Sequence, residues 1–124
     1  MGANGNGGSK WIRKEKRIAI YLHDDYHCAY CACDLVEAPT AECTLDHLNT
    51  GHVDHRATNL VTACRSCNSS RQDTPLAKWA GPARSKKIRQ QARRNLSRHL
   101  ATAKAVLALI EEGTDKVEAI KKVA

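Results

Sequence analysis

The chain has no phenylalanine, and its 124 residues hold five aromatic side chains in all, two Trp and three Tyr. Much of its apolar fraction is alanine, so a core of large interlocking side chains is excluded. At this length apolar burial alone is marginal, and a metal or disulfide staple is expected. No stretch approaches the ~20 apolar residues that span a bilayer, which excludes a membrane-spanning class. The glycine- and asparagine-rich opening, residues 1–9, lacks the apolar core of a secretory leader and reads as a disordered tail. Acidic residues are absent between Asp73 and Glu111, and no internal repeat is visible.

What is present is charge and cysteine. The formal net charge is +7, which suits a polyanionic partner such as DNA. Six cysteines admit three disulfides in a secreted protein, but four of them fall in two Cys-x-x-Cys pairs, Cys28/Cys31 and Cys64/Cys67. Each such pair places two thiolates on one tight turn, and four thiolates close the tetrahedral shell of a structural Zn²⁺. With no leader core, the reducing cytoplasm is the simpler setting. Cys33 and Cys43 are then spare thiols with packing roles, Cys33 being a competing ligand by its spacing. His27 is expected to neighbour the zinc rather than bind it.

Local pattern gives a coarse map. Ser9 caps a helix over 10–23 with Ile18, Tyr21, Leu22 and Trp11 on its apolar side. A loop covers 34–41. A strand over 42–48 turns at 49–51, returns through 52–58, and leads to a second strand over 59–62. Asn68 opens a short helix ending at Arg71. Thr74 and Pro75 start another that stops near Gly81 and Pro82. Apolar residues Ile88, Ala92, Leu96, Leu100, Ala103, Leu107 and Ile110 then recur by threes and fours, predicting one helix over 83–112, about 45 Å long. Its first half carries Arg84, Lys86, Lys87, Arg89, Arg93, Arg94 and Arg98, candidate contacts to DNA phosphates. Gly113 stops it, and Thr114 caps a final helix bearing Val117, Ile120 and Val123. The domain map is a tail over 1–9, a zinc-pinned unit over 10–80 and a basic helical extension over 83–124.

Between and after the knuckles the order is Asp46-His47, Asn59-Leu60, then Cys64-Arg65-Ser66-Cys67-Asn68 and Arg71. With Cys28-Ala29-Tyr30-Cys31 upstream, this resembles the HNH endonucleases in their H-N-N form, as in phage-type enzymes, over about residues 10–80. The resemblance implies an α+β fold with a zinc-pinned, treble-clef-like ββα-metal core, and a metal-dependent endonuclease that hydrolyses DNA phosphodiesters to 5′-phosphate and 3′-hydroxyl ends. It places the signature positions on His47, Asn59 and Asn68.

Those residue types suit the chemistry. Hydrolysis of an anionic diester needs a base for water and positive charge on the developing oxyanion. His47, with an ordinary pKa near ~6.5, is the candidate general base. Asp46 and Asn68 offer hard oxygens for Mg²⁺ or Mn²⁺, with Zn²⁺ or Ni²⁺ as alternatives. Asn59 is expected to fix the His47 ring. Arg71, one helical turn after Asn68, is a candidate for the same phosphate. Neighbours on an ideal strand point to opposite faces, so the strand is expected to end or kink at Asp46-His47. A second pair, Asp54-His55, sits too close to Asn59 to start a hairpin. His52, His55 and Arg56 are then phosphate contacts or plain surface. The alternative function is a non-catalytic zinc-knuckle DNA-binding protein; a nuclease toxin or restriction component is a third. Association with phage packaging or recombination proteins follows by analogy.

Overall fold

The computed structural model describes residues 12–49 and 54–123. Helix α1 covers Lys14–His23 and buries Ala19, Ile20, Tyr21 and Leu22. It starts later than the sequence predicts: Ile12 and Arg13 are not helical, and Ile12 is itself buried, so the chain enters the core before the first turn. Ser9 and Trp11 lie outside the described residues. After α1, Asp25 and Tyr26 both adopt left-handed φ near 54° and 53°, costly for side chains of their size. Burial of Tyr26 and its backbone bond to Tyr21 O, 2.7 Å, offset that cost. The reversal delivers the chain to the first knuckle, where His27 bridges to Asp34.

Strands β1, Cys43–His47, and β2, Leu60–Cys64, form the sheet, antiparallel with Cys43 opposite Cys64 and His47 opposite Leu60. β1 is one residue shorter at each end than the sequence expectation, and β2 begins one residue later and ends two residues later. A two-stranded ribbon is marginal alone. Here α1 packs on β2, and α2, Arg65–Arg71, packs on both strands, so Leu60, Val61, Thr62 and Ala63 are all fully buried. Helix α2 opens at Arg65, not Asn68, because the Cys64 sulfur accepts the Cys67 amide and caps it. Gln72, at φ 48°, ends it.

Helix α3, Leu76–Ala80, drives Leu76 into the core and sets Trp79 edge-on against Tyr30, centroids 4.9 Å apart. Gly81, at φ 90°, breaks the chain, and Pro82 occupies the first turn of α4, Pro82–Ala92. The single long helix of the sequence reading is in fact two, α4 and α5, Ser97–Glu111. Asn95 Oδ1 accepts the Ser97 amide at 2.8 Å, a local bond that competes with helix continuation. The bend buries Ala92 and Leu96 on either side of it, so apolar spacing runs through the break without marking it. It also lets α5 fold back along α1. The residues of the predicted extension and of the predicted zinc unit share one core. Helix α6, Lys116–Val123, is capped by Asp115, whose carboxylate accepts the Val117 and Glu118 amides, rather than by Thr114. Among the described residues, no helix is long and apolar enough to cross a membrane.

Candidate metal centre and hairpin-loop site

The two Cys-x-x-Cys turns meet at one end of the hairpin. The sulfurs of Cys28, Cys31, Cys64 and Cys67 all lie within 4.8 Å of one another, and Cys31 to Cys64 is 3.9 Å. A zinc with bonds of about 2.3 Å requires sulfurs about 3.8 Å apart at the corners of a tetrahedron, so the residues fit the ion. Backbone amides support the sulfurs: Tyr30 and Cys31 donate to Cys28, and Cys67 donates to Cys64. Burial pushes the Cys28 and Cys67 thiols up, whereas a bond from the Cys33 backbone draws Cys31 down to about 7. Four cysteines able to hold a metal such as zinc are therefore assembled. Cys43 is buried as expected; Cys33 is exposed beside Cys31 rather than packed.

At the other end of the hairpin, side chains from β1, the loop and α2 crowd together. Arg71 is fully buried. Its Nη1 donates to Asp46 Oδ2 at 2.8 Å and to His47 O at 2.8 Å, its Nη2 to Leu48 O at 2.7 Å, and its Nε to Thr74 O at 3.0 Å. Such a fork is a structural clamp, and the expected phosphate contact through Arg71 is replaced by it. Tyr30 Oη donates to the same Asp46 oxygen at 2.5 Å. Burial, reinforced by Asp46, pushes that phenol well above its usual range, so it remains a donor. Asn68 Nδ2 donates to Thr44 Oγ1 at 2.9 Å and lies 3.4 Å from Leu45 O, which seats its amide over the strand just before Asp46.

β1 does end at His47, and the two neighbours diverge. Asp46 faces Arg71 and Tyr30, while His47 Nε2 lies 2.9 Å from His55 Nδ1. Asn59 does not hold the His47 ring as predicted. Its buried amide accepts from Asn49 N and donates to Asp54 O, both at 2.9 Å, stitching the two ends of the connecting loop. Thus it acts on the segment that carries His55. Lys16 of α1 donates to His55 O. Sequence reasoning gave Tyr30 no role at this end and read His55 as a phosphate contact or plain surface; the bonds of Tyr30 to Asp46 and of His55 to His47 and Lys16 arise through tertiary packing. His52 lies outside the described residues.

The basic residues divide. Arg84, Lys86, Lys87, Arg93 and Arg98 are exposed, and Arg84 also reaches Tyr30 O. Arg89 donates to Asn49 Oδ1 at 3.0 Å, which brings α4 beside the loop. Arg94 is removed from the DNA-contact set: its side chain is 4% exposed, its Nη2 donates to Leu60 O at 2.9 Å, and it stands 3.8 Å from buried Asp24. Asp24 in turn accepts from Thr62 N and Oγ1. Set beside known proteins, the chain matches no family model, no curated protein and no solved structure at a significant level.

Proposed function

We propose that this chain is a metal-dependent DNA endonuclease of the HNH type, with His47 as general base. The observation that carries the reading is the grouping of Asp46, His47, Asn59 and Asn68 around one end of a thiolate-pinned hairpin, with the basic helix α4 alongside. Lys86, Lys87, Arg89 and Arg93 would hold backbone phosphates, giving affinity without sequence information. His47 takes a proton from water, the resulting oxygen attacks phosphorus, and the bond to the 3′ oxygen breaks, leaving the phosphate on the 5′ end. Asp46 and Asn68 supply a carboxylate and an amide oxygen from elements held together by the Asn68 bonds to β1, a donor set that suits Mg²⁺ or Mn²⁺. An ion there supplies positive charge for the developing oxyanion. The Arg71 guanidinium on Asp46 shares that carboxylate's charge and weakens its hold on a cation.

The same ion pair favours the second reading, a non-catalytic zinc-pinned DNA-binding protein, since an Asp46 whose Oδ2 is held by Arg71 and Tyr30 serves as a structural carboxylate. A plasmid-nicking assay separates the two. Cutting in Mg²⁺ or Mn²⁺ that falls about 10²- to 10⁴-fold in His47→Ala, with DNA retention unchanged, is the expected result. A His47→Ala variant that cuts at the wild-type rate removes His47 as base. Wild-type protein that binds DNA yet cuts with none of Mg²⁺, Mn²⁺, Ni²⁺ or Zn²⁺ is the binding protein.

A further inference from the structure

We infer that the protein has a second binding site, for a single-chain acyl carboxylate, in the cavity between α1, α5 and the start of α6. The cavity measures about 540 Å³, within the ~300–1,000 Å³ typical of small-ligand sites. Its lining takes nothing from the thiolate cluster, the hairpin loop or α4, so it stands apart from the nuclease reading.

Two kinds of side chain line it. Ile18 of α1 and Leu107 and Ile110 of α5 are half-buried, and their apolar surface stays partly open to water although Ile18 and Ile110 also pack on the core. Lys14 and Arg17 of α1 and Lys116 of α6 supply charge, and no Asp or Glu is among the described residues that line the cavity. Helical spacing brings the two kinds together. Arg17, Ile18 and Tyr21 fall three, four and seven positions after Lys14, which sets all four on one face of α1, and that helix packs against α5.

Two of the cations are held in place. Arg17 Nη1 donates to Tyr21 Oη at 3.0 Å, and that hydroxyl donates in turn to Cys43 O at 3.1 Å. Lys116 Nζ donates to Ala38 O at 3.2 Å. A guanidinium carries five N–H donors and an ammonium three, so each bond fixes its cation without using up its capacity. The two charges also converge. Burial pushes the Cys43 thiol up to about 11, and Lys116 and Arg17 both act against that rise.

The combination selects the occupant. A DNA backbone has no apolar surface with which to cover isoleucine and leucine, and a neutral hydrocarbon leaves the cations unmatched. A carboxylate at the end of an alkyl chain meets both demands: its oxygens accept from Arg17 and Lys116, and its methylenes cover Ile18, Leu107 and Ile110.

The test adds decanoate to the zinc-loaded full chain and follows amide NMR shifts and heats of binding. Decanoate should bind saturably with a Kd below ~1 mM, moving the amides of Ile18, Leu107 and Lys116. Octanoate should bind about 4-fold more weakly for each methylene lost. Decyltrimethylammonium, with the same chain and opposite charge, should bind about 10-fold more weakly than decanoate. Lys14→Ala with Lys116→Ala should weaken decanoate about 3- to 10-fold, and Leu107→Asp should abolish its binding. The chain-length and charge-reversal arms use the unaltered protein, so they decide the inference even if a variant fails to fold. No saturable shift, equal affinity for decyltrimethylammonium, or shifts centred away from α1 and α5 overturns it. Binding to anionic phospholipid vesicles without binding to decanoate overturns it as well, making this face a membrane contact. So do shifts that follow protein concentration in place of ligand, which make it an interface between copies. None of these results bears on DNA cutting.

Discussion

The hairpin has two ends, and they are built differently. At the Cys43–Cys64 end, sulfurs from two sequence-local turns converge, supported by amides two or three residues away. At the His47–Leu60 end, about 14 Å along the strands at ~3.4 Å per residue, the contacts join residues far apart in sequence: Arg71 to Asp46, His47 and Leu48, and Lys16 to His55. The first arrangement is read from spacing alone. The second exists only once the helices have packed, and its side chains bond one another as much as they await a ligand.

Breaking the sulfur end should have the largest effect. Cys64→Ser, or a strong chelator, is expected to abolish bound zinc and the cooperative melting transition, since structural zinc sites bind with an apparent ~10–16 kcal/mol; metal analysis and circular dichroism check this. Acid should act in the same direction. Burial raises Cys28 and Cys67, so the ion must displace protons to bind them, and the stability it contributes is present at high pH and lost as pH falls. Zinc release to a chromogenic chelator should increase from pH 7 to pH 5.

At the opposite end, Arg71→Ala strands a buried carboxylate and should cost about 3–5 kcal/mol in denaturant unfolding. Asp46→Leu combined with Arg71→Leu should recover much of it, because a matched apolar pair leaves no uncompensated charge. His47→Ala should remove activity while costing about 1 kcal/mol of stability, the worth of one hydrogen bond. That contrast separates clamp from site within a single strand end. The smallest effect is expected on α4: with Lys86, Lys87 and Arg93 replaced by Ala, the dependence of duplex binding on log salt should flatten by about 0.9 for each phosphate no longer neutralised, with no shift in melting. Arg94→Ala, by contrast, should lower stability and leave that slope unchanged.

The legible parts of the sequence were those governed by short-range rules. The Cys-x-x-Cys spacing led to the thiolate cluster, alternation and turn residues led to both strands within a residue or two, and Gly81 and Gly113 marked two breaks. The bend at 93–96 was hidden because apolar residues run through it at helical spacing, while the local bond that competes with the helix, from the Ser97 amide to Asn95 Oδ1, comes from one ordinary polar residue. Asn59 ends the turn just before β2 instead of opening the strand, and it was assigned the wrong partner, since its neighbours in space depend on where the loop lies. Arg71 and Arg94 looked like surface cations, and nothing local distinguishes a guanidinium bound for the interior from one bound for a phosphate. Buried acceptors decide, and those come from other elements.

Tyr30 spans the interval between the two ends. It lies inside the first knuckle, its hydroxyl reaches Asp46, and its ring rests on Trp79. An oxidant that displaced the first knuckle would disturb one of the two donors on a carboxylate it never meets, the other being Arg71. The loss of a few electrons from sulfur would be felt, through a single phenol, as a misplaced oxygen at the far corner of the sheet.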